Sequence, residues 1–228
     1  MRARETPQIV RAGRGTLLEG PERIPRNRKR GDVTAADCIY KEHRLIARVL
    51  DALEVYVDQL ERAGDATDRH DLARFVTFFR EFADLGHHEK EENVVFPEMV
   101  RAGFSWDDGI LSDLRQEHNQ ERYLMRTLRH ASLQKDLWSS EDLRHLVSVG
   151  RTFIEFQRAH MAKEDAELLP DLRNGLPEAV EKEMAKRLTR FDEVWADSGE
   201  SAWLRGLGQD LVDRYPGRGA GPDTRPVA

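Results

Sequence analysis

Apolar positions recur along this chain with the period of an α-helix. Ile39, His43, Ile46, Leu50, Leu53, Val57 and Leu60 follow one another at steps of three and four, which marks one face of a helix that begins after Asp32 and ends near Gly64. A second stripe runs Leu72, Val76, Phe79, Ala83, His87, Glu91 and Val94. Pro97 is expected to close that helix, because the residue before a proline disfavours helical geometry. After a connection at 101–108, which holds Gly103 and Trp106, a third stripe takes in Leu111, Leu114, His118, Glu121, Met125 and Leu128. Ser139 or Ser140 can cap a fourth helix, with Glu141 and Asp142 in its first turn. Its stripe is Leu143, Val147, Gly150, Phe153, Gln157, His160, Glu164 and Leu168, with Pro170 as its expected end. Four long helices joined by short connections predict an all-α, up-down-up-down four-helix bundle.

Two more helices are predicted beyond it. One, over 178–197, carries Val180, Met184, Leu188, Phe191 and Trp195 at helical spacing and is expected on the outside of the bundle. The other, over 201–213, has Trp203, Leu204, Leu207, Leu211 and Val212 as its apolar side. The organisation expected is therefore an irregular arm at 1–31, a bundle at 32–172, a helical extension at 173–214 and a Gly- and Pro-rich flexible tail at 215–228.

Composition changes this picture little, but charge and cysteine usage narrow the function. The chain is 39% hydrophobic, 34% charged and 7% aromatic, the profile of a helical protein with charged outer faces. Its net charge of −6 argues against a nucleic-acid binder. Residues 1–31 nevertheless carry nine Lys or Arg against three Glu, so this arm has the charge to touch an acidic partner or a phosphate backbone, although most such arms are simply solvated. The single cysteine, Cys38, excludes an internal disulfide framework and CxxC metal chemistry, and its place in a helical stripe suits an inert, buried thiol. No apolar run approaches the roughly 18 residues needed to cross a bilayer, and the first thirty residues lack the apolar segment of a secretory signal. The expected address is the cytoplasm.

The polar residues on the inward stripes repeat. Glu42-His43 is matched 75 residues later by Glu117-His118, and His87-x-x-x-Glu91 is matched 73 residues later by His160-x-x-x-Glu164. Each second histidine follows a small residue, Gly86 or Ala159, and lies ten residues before a proline, Pro97 or Pro170. Residues four apart share a helix face, with Cβ atoms about 5–6 Å apart. A histidine nitrogen and a glutamate oxygen so placed can reach one metal ion, or the glutamate can bridge two. A lone histidine in a helical stripe is more often a hydrogen-bonded core residue than a ligand. Here, however, six such groups converge on one apolar seam, and an unpartnered buried carboxylate costs several kcal/mol. A structural polar network has no need of the same H-x3-E unit twice. Imidazole with carboxylate suits iron, manganese or zinc. The Glu-x-x-His pairs of ferritin-like bundles are absent from the sequence.

His43, His87-x3-Glu91, His118 and His160-x3-Glu164, with prolines at matching offsets, resemble the hemerythrin-like, cation-binding HHE domain family over about 33–172. The resemblance implies a four-helix bundle with two non-heme iron ions, bridged by both glutamates and by an oxide or hydroxide, with manganese or zinc as less favoured metals. Carried over by position, the ligands are His43, His87, Glu91, His118, His160 and Glu164. Oxygen-carrying hemerythrins have a further histidine on the third helix; the residue four after His118 is Arg122. The chain is more similar to the bacterial four-histidine, two-glutamate branch, tied to nitric oxide, peroxide and iron–sulfur repair. The implied function is binding of, or reaction with, dioxygen, peroxide or nitric oxide, as sensor, scavenger or oxidoreductase. The alternatives are an iron or oxygen store without turnover, and a di-iron oxidase of an organic substrate.

Several other residues are candidates for lesser roles. Glu121, on the inward stripe one turn beyond His118, either bonds a metal ligand or lines an entry channel, or is a surface glutamate. Glu42 and Glu117 either orient channel water or are helix-face charges. His88 points about 100° from His87 on an ideal helix, behind the ligands or at the surface. The run Glu89–Glu92 is expected to be a solvated face with only Glu91 turned in. His70, His130 and His145 are expected in solvent, and Tyr40 and Tyr123 to pack rather than to gate.

Overall fold

The computed structural model describes residues 33–63, 68–134 and 137–217. The predicted basic arm, the expected helix end near Gly64 and the last eleven residues lie outside them. The described residues form six helices: α1 (Ala35–Ala63), α2 (69–101), α3 (Gly109–Ser132), α4 (140–174), α5 (Glu178–Asp197) and α6 (Glu200–Arg214). Local chemistry sets their starts. Thr34 Oγ1 accepts from the Asp37 backbone N–H, Asp68 accepts from that of His70, and Ser139 and Asp142 form a reciprocal capping box. Gly199, at φ 75°, makes the tight reversal from α5 to α6 that a side chain would strain.

The long helices α1 to α4 form the bundle, with α1 against α4, α4 against α3 and α3 against α2. Two apolar clusters fill it. One, toward one end, joins Ile39, Val95, Phe96, Met99, Leu114, Leu168 and Leu172 to Met184 and Leu188 of α5. The other joins Ile46, Leu53, Tyr56, Phe78, Phe82 and Phe153 to Leu204, Leu207 and Leu211 of α6. Between them lies a layer of buried polar side chains, because His43 falls between Ile39 and Ile46 on α1 and the other inward histidines fall at the same level of their helices.

Neither proline ends its helix as the sequence predicts. Pro97 and Pro170 each sit in the first turn of a short α-helical continuation, Phe96–Arg101 and Leu169–Asn174. A π-helical turn precedes each, over Glu91–Val95 and Glu164–Leu168. A proline ring clashes with the carbonyl four residues back and offers it no N–H. The wider turn lets the rod pass through the proline. The Asn93 carbonyl, four before Pro97, takes its hydrogen bond from Arg187 on α5 instead. A third π-helical stretch, Phe78–His88, has no counterpart in α4.

The C-terminal helices depart from expectation at two residues. Trp203, assigned to the apolar side of α6, is exposed, whereas Leu204, Leu207, Leu211 and Val212 are buried. Tyr215, placed in the flexible tail, is a core residue that packs on Tyr56 and Phe75. Its hydroxyl donates to Asp71 Oδ2 at 2.6 Å, and Arg214 reaches the same oxygen at 2.6 Å. Asp71 is fully buried at the start of α2; burial alone would raise its pKa, but these bonds and that of Arg74 hold it below the usual carboxylate range. This cluster pins the end of α6 to the bundle. Tyr215→Phe should therefore lower unfolding free energy by about 1–3 kcal/mol, the worth of a hydrogen bond to a charged acceptor. Urea denaturation measures it, and an unchanged midpoint would show that Arg214 and Arg74 hold Asp71 alone.

Candidate metal centre

The structure brings His43, His87, Glu91, His118, His160 and Glu164 together in the polar layer, all at 3% exposure or less. They form two overlapping groups, each with four ligand atoms within 4.8 Å of one another: His43, His87, Glu91 and Glu164, and Glu91, His118, His160 and Glu164. Both glutamates belong to both groups. His43 Nε2 lies 3.1 Å from Glu164 Oε2 and 3.2 Å from His87 Nε2. On the other side, His118 Nε2 lies 3.3 Å from Glu91 Oε2 and His160 Nε2 3.0 Å from Glu164 Oε1.

Every one of these imidazoles has its outer nitrogen on a carboxylate. His43 Nδ1 bonds Asp165 at 2.9 Å, His87 Nδ1 bonds Glu42 at 3.2 Å, His118 Nδ1 bonds Glu92 at 2.7 Å and His160 Nδ1 bonds Glu117 at 2.9 Å. Such partners place the proton on Nδ1 and turn the Nε2 lone pair inward. The oxygens of Glu91 and Glu164 and the Nε2 atoms of His118 and His160 are buried without a hydrogen-bond partner. Lone pairs therefore face lone pairs in a space closed to water, an arrangement that calls for positive charge between them. The donor set, imidazole and carboxylate without thiolate, suits iron, manganese or zinc.

Protons meet that need when metal ions do not. Burial pulls the His43 pKa down, but its bonds to Asp165 and Glu164 outweigh this and push it up to about 10. His160 also rises to about 10 against its burial, through the charges of Glu164 and Glu121. Burial would raise Glu164, yet the surrounding histidines hold it well below the ordinary range. Burial likewise opposes ionisation of Glu42, but its hydrogen bond to His87 and the charge of Lys90 hold it at about 2.

Residues 34–172 match the description "Hemerythrin HHE cation binding domain". The chain belongs to the hemerythrin HHE cation-binding family. It is also 27% identical, over 80% of its length and 68% of theirs, to proteins of Mycobacterium tuberculosis and Mycobacterium bovis described as uncharacterized. No solved structure matches it. Membership makes this a metal-binding domain of a family that typically takes iron, and the His/Glu cluster fits such a site. No helix among the described residues is long and apolar enough to cross a membrane.

Around this centre the structure corrects several expectations. Glu42 and Glu117 are neither channel nor face charges, for each holds a histidine of the neighbouring H-x3-E motif. The run Glu89–Glu92 is only partly solvated, since Lys90 is fully buried and Glu92 holds His118. The repeat extends to these residues as H-x-x-K-E-E and H-x-x-K-E-D, so Lys90 with Lys163 and Glu92 with Asp165 were legible at the same offset of 73. Gln157, which no chemical signal marked, lies fully buried beside them with an unpartnered Nε2.

His88 is not at the surface. The π-helical stretch ending at His88 turns each residue through a smaller angle than an α-helix, so His87 and His88 both face the interior. Glu121 is buried as well, with an oxygen 3.4 Å from His88 Nε2, and burial pushes its carboxyl up to about 7. By contrast His70, His130, His145, Tyr40 and Tyr123 are exposed. Cys38 is half-buried, and burial pushes its thiol up to about 11.

His88 also sits within ligand distance of His118 and His160, but its ring lies parallel to that of His118, at 14° and 4.1 Å between centroids. The in-plane lone pairs of two stacked, parallel imidazoles cannot both converge on one point, so His88 would not share an ion with His118. His88 also has no carboxylate on Nδ1 closer than Asp84 at 3.7 Å. His87→Ala should therefore lose metal while His88→Ala keeps nearly the full content by elemental analysis; equal loss would make His88 a ligand. The raised histidine values predict a second result. The carboxylates around His43 and His160 favour their protonated forms in the metal-free site, so metal uptake at neutral pH should displace protons, and apparent affinity should rise with pH across the neutral range. Titration in buffers of different ionisation enthalpy measures the protons released, and none released would mean that the metal does not enter this histidine cluster.

Proposed function

We propose that the chain is a non-heme di-iron protein whose centre binds and reacts with dioxygen, peroxide or nitric oxide. In this reading His43 and His87 would hold one iron, His118 and His160 the other, and Glu91 and Glu164, which belong to both groups, would be shared between them. The observation that carries it is the inward convergence of four Nε2 lone pairs on two shared carboxylates, with each Nδ1 already engaged. Bound iron would supply Lewis acidity and electrons for a small oxidant.

The surroundings of the site support a small reactant over an organic one. A cavity of about 20 Å³ lies beside the centre, lined by Phe79, Met125 and Phe153 and by His88, Glu121 and Gln157. A space of ~10–15 Å³ holds one water, so the cavity suits a molecule of one or two heavy atoms. Arg122 closes its rim, bonded to Asp84 at 2.7 Å and to Glu92 at 2.9 Å. It stands where oxygen-carrying relatives have a further histidine, and its guanidinium, engaged with two carboxylates, would not ligate a metal there. Around the centre the chain's residues have separate tasks. Asp165, Glu42, Glu92 and Glu117 keep the imidazoles aimed, the phenylalanines exclude water, and Glu121 and Gln157 offer polar atoms to whatever enters.

The purified chain should hold close to two irons, and its reduced form should bind nitric oxide readily and be oxidised by dioxygen or peroxide. Anaerobic titration followed by absorption checks both. A long-lived dioxygen adduct that survives repeated degassing would favour storage, and oxidation that needs an added organic molecule would favour an oxidase; either result would overturn this reading.

A further inference from the structure

The two halves of the centre share one relay but not one environment. In the first half His87 Nδ1 donates to Glu42, and Lys90 Nζ donates to the other Glu42 oxygen at 2.6 Å. In the second half His160 Nδ1 donates to Glu117, and Lys163 donates to the other Glu117 oxygen. The members correspond at the repeat offsets. Yet the Lys163 side chain is 29% exposed and that of Lys90 only 1%. What covers Lys90 is α5. Asp192 takes a second hydrogen bond from Nζ, and the rings of Phe191 and Trp195 each lie 5.5 Å from it. Trp195 seats against Gly86, where an added Cβ would stand 2.3 Å from the indole. That contact accounts for glycine here and alanine at the matching position 159. Helix α5 begins after residue 172, beyond the stretch that matches the family.

An exposed ammonium–carboxylate pair is screened and mobile, and fixes little. A buried ammonium needs all its hydrogen bonds met, and Glu42, shared with His87, meets only part of that need. Asp192 supplies the rest, so it holds Lys90 on Glu42 and Glu42 on the imidazole.

We propose that α5 is a working part of the metal centre: Asp192 and Lys90 position Glu42 and through it His87, so that His87 is held on its ion more firmly than its counterpart His160 is held on the other. This rests on the ligand set proposed above. Outer partners of ligating histidines are worth roughly 10–100-fold in metal affinity, and of the two matching His–Glu–Lys relays only that of His87 is closed to solvent.

Release of iron from the loaded full-length chain to a chromogenic chelator tests the proposal. Two phases of one ion each are expected. Asp192→Asn, at a side chain 39% exposed, keeps the shape and removes the charge. It should speed the slow phase by up to about tenfold, the low end of the range for a direct outer partner, and leave the fast phase alone. Asp192→Glu should restore the slow phase, and Lys163→Met should change only the fast one. Circular dichroism reports the fold of each variant. Gly86→Ala, which pushes Trp195 off its seat, should reproduce the Asp192→Asn effect independently. A single release phase in the unaltered chain, or a slow phase untouched by both Asp192→Asn and Gly86→Ala, would overturn the inference. A chain that takes up fewer than two ions overturns the ligand set, and this inference with it.

Discussion

The structure turns on a concentration of buried lone pairs. Two carboxylates and four imidazoles point at one another from four helices, with apolar clusters above and below them. Carboxylates so placed cost several kcal/mol each unless a cation or a proton answers them. The surrounding features follow from that constraint. Each imidazole carries a carboxylate on its outer nitrogen, so its inner lone pair has a fixed direction. The carboxylates outside are themselves held, Glu42 by Lys90, Glu117 by Lys163 and Glu92 by Arg122. Negative charge at the centre is thus balanced by positive charge two bonds farther out.

Backbone geometry bends to the same end. The turns at Glu91–Val95 and Glu164–Leu168 are π-helical in both halves, each beginning at the glutamate that both groups share. They combine two demands: a carboxylate at the level of the histidines, and a proline a turn and a half later that an unbroken α-helix resists. The extra stretch in α2, Phe78–His88, has a different consequence. It brings His88 inside with no hydrogen bond to either ring nitrogen, next to the small cavity and Glu121. Irregular turns of this kind occur often at functional sites, and here one of them gives the bundle its asymmetry on the cavity side.

The C-terminal helices supply the other asymmetry. Helix α6 is part of the larger apolar cluster, through Leu204, Leu207 and Leu211, and its close approach rests on Gly208, where a Cβ would meet Phe78 at 2.7 Å. Helix α5 seals Lys90. The two overlapping His/Glu groups are thereby placed in unlike surroundings, one under a helix and one beside a cavity and a solvent-touched lysine.

The sequence by itself determined the helices, the bundle and the six inward groups, because a period of 3.6 and an internal repeat are local properties of the chain. Glu91 and Glu164 stood out there as charges on apolar stripes. The same repeat contained Lys90, Lys163, Glu92 and Asp165, but these read as surface charges, since helical phase places a residue against its own axis and not against a neighbouring helix. Only the tertiary structure decided that Glu42 reaches across to His87 and Glu117 to His160. It alone showed the helices running on through Pro97 and Pro170, because the answer depends on a wider turn and on a distant arginine, Arg187, that takes up a freed carbonyl. His88 came inside for a similar reason: a small change of pitch, invisible in the spacing, rotates a side chain from one face to another. The burial of Lys90 and Tyr215 likewise needed partners more than a hundred residues away in the chain, and which distant segments meet is settled by packing, not by period.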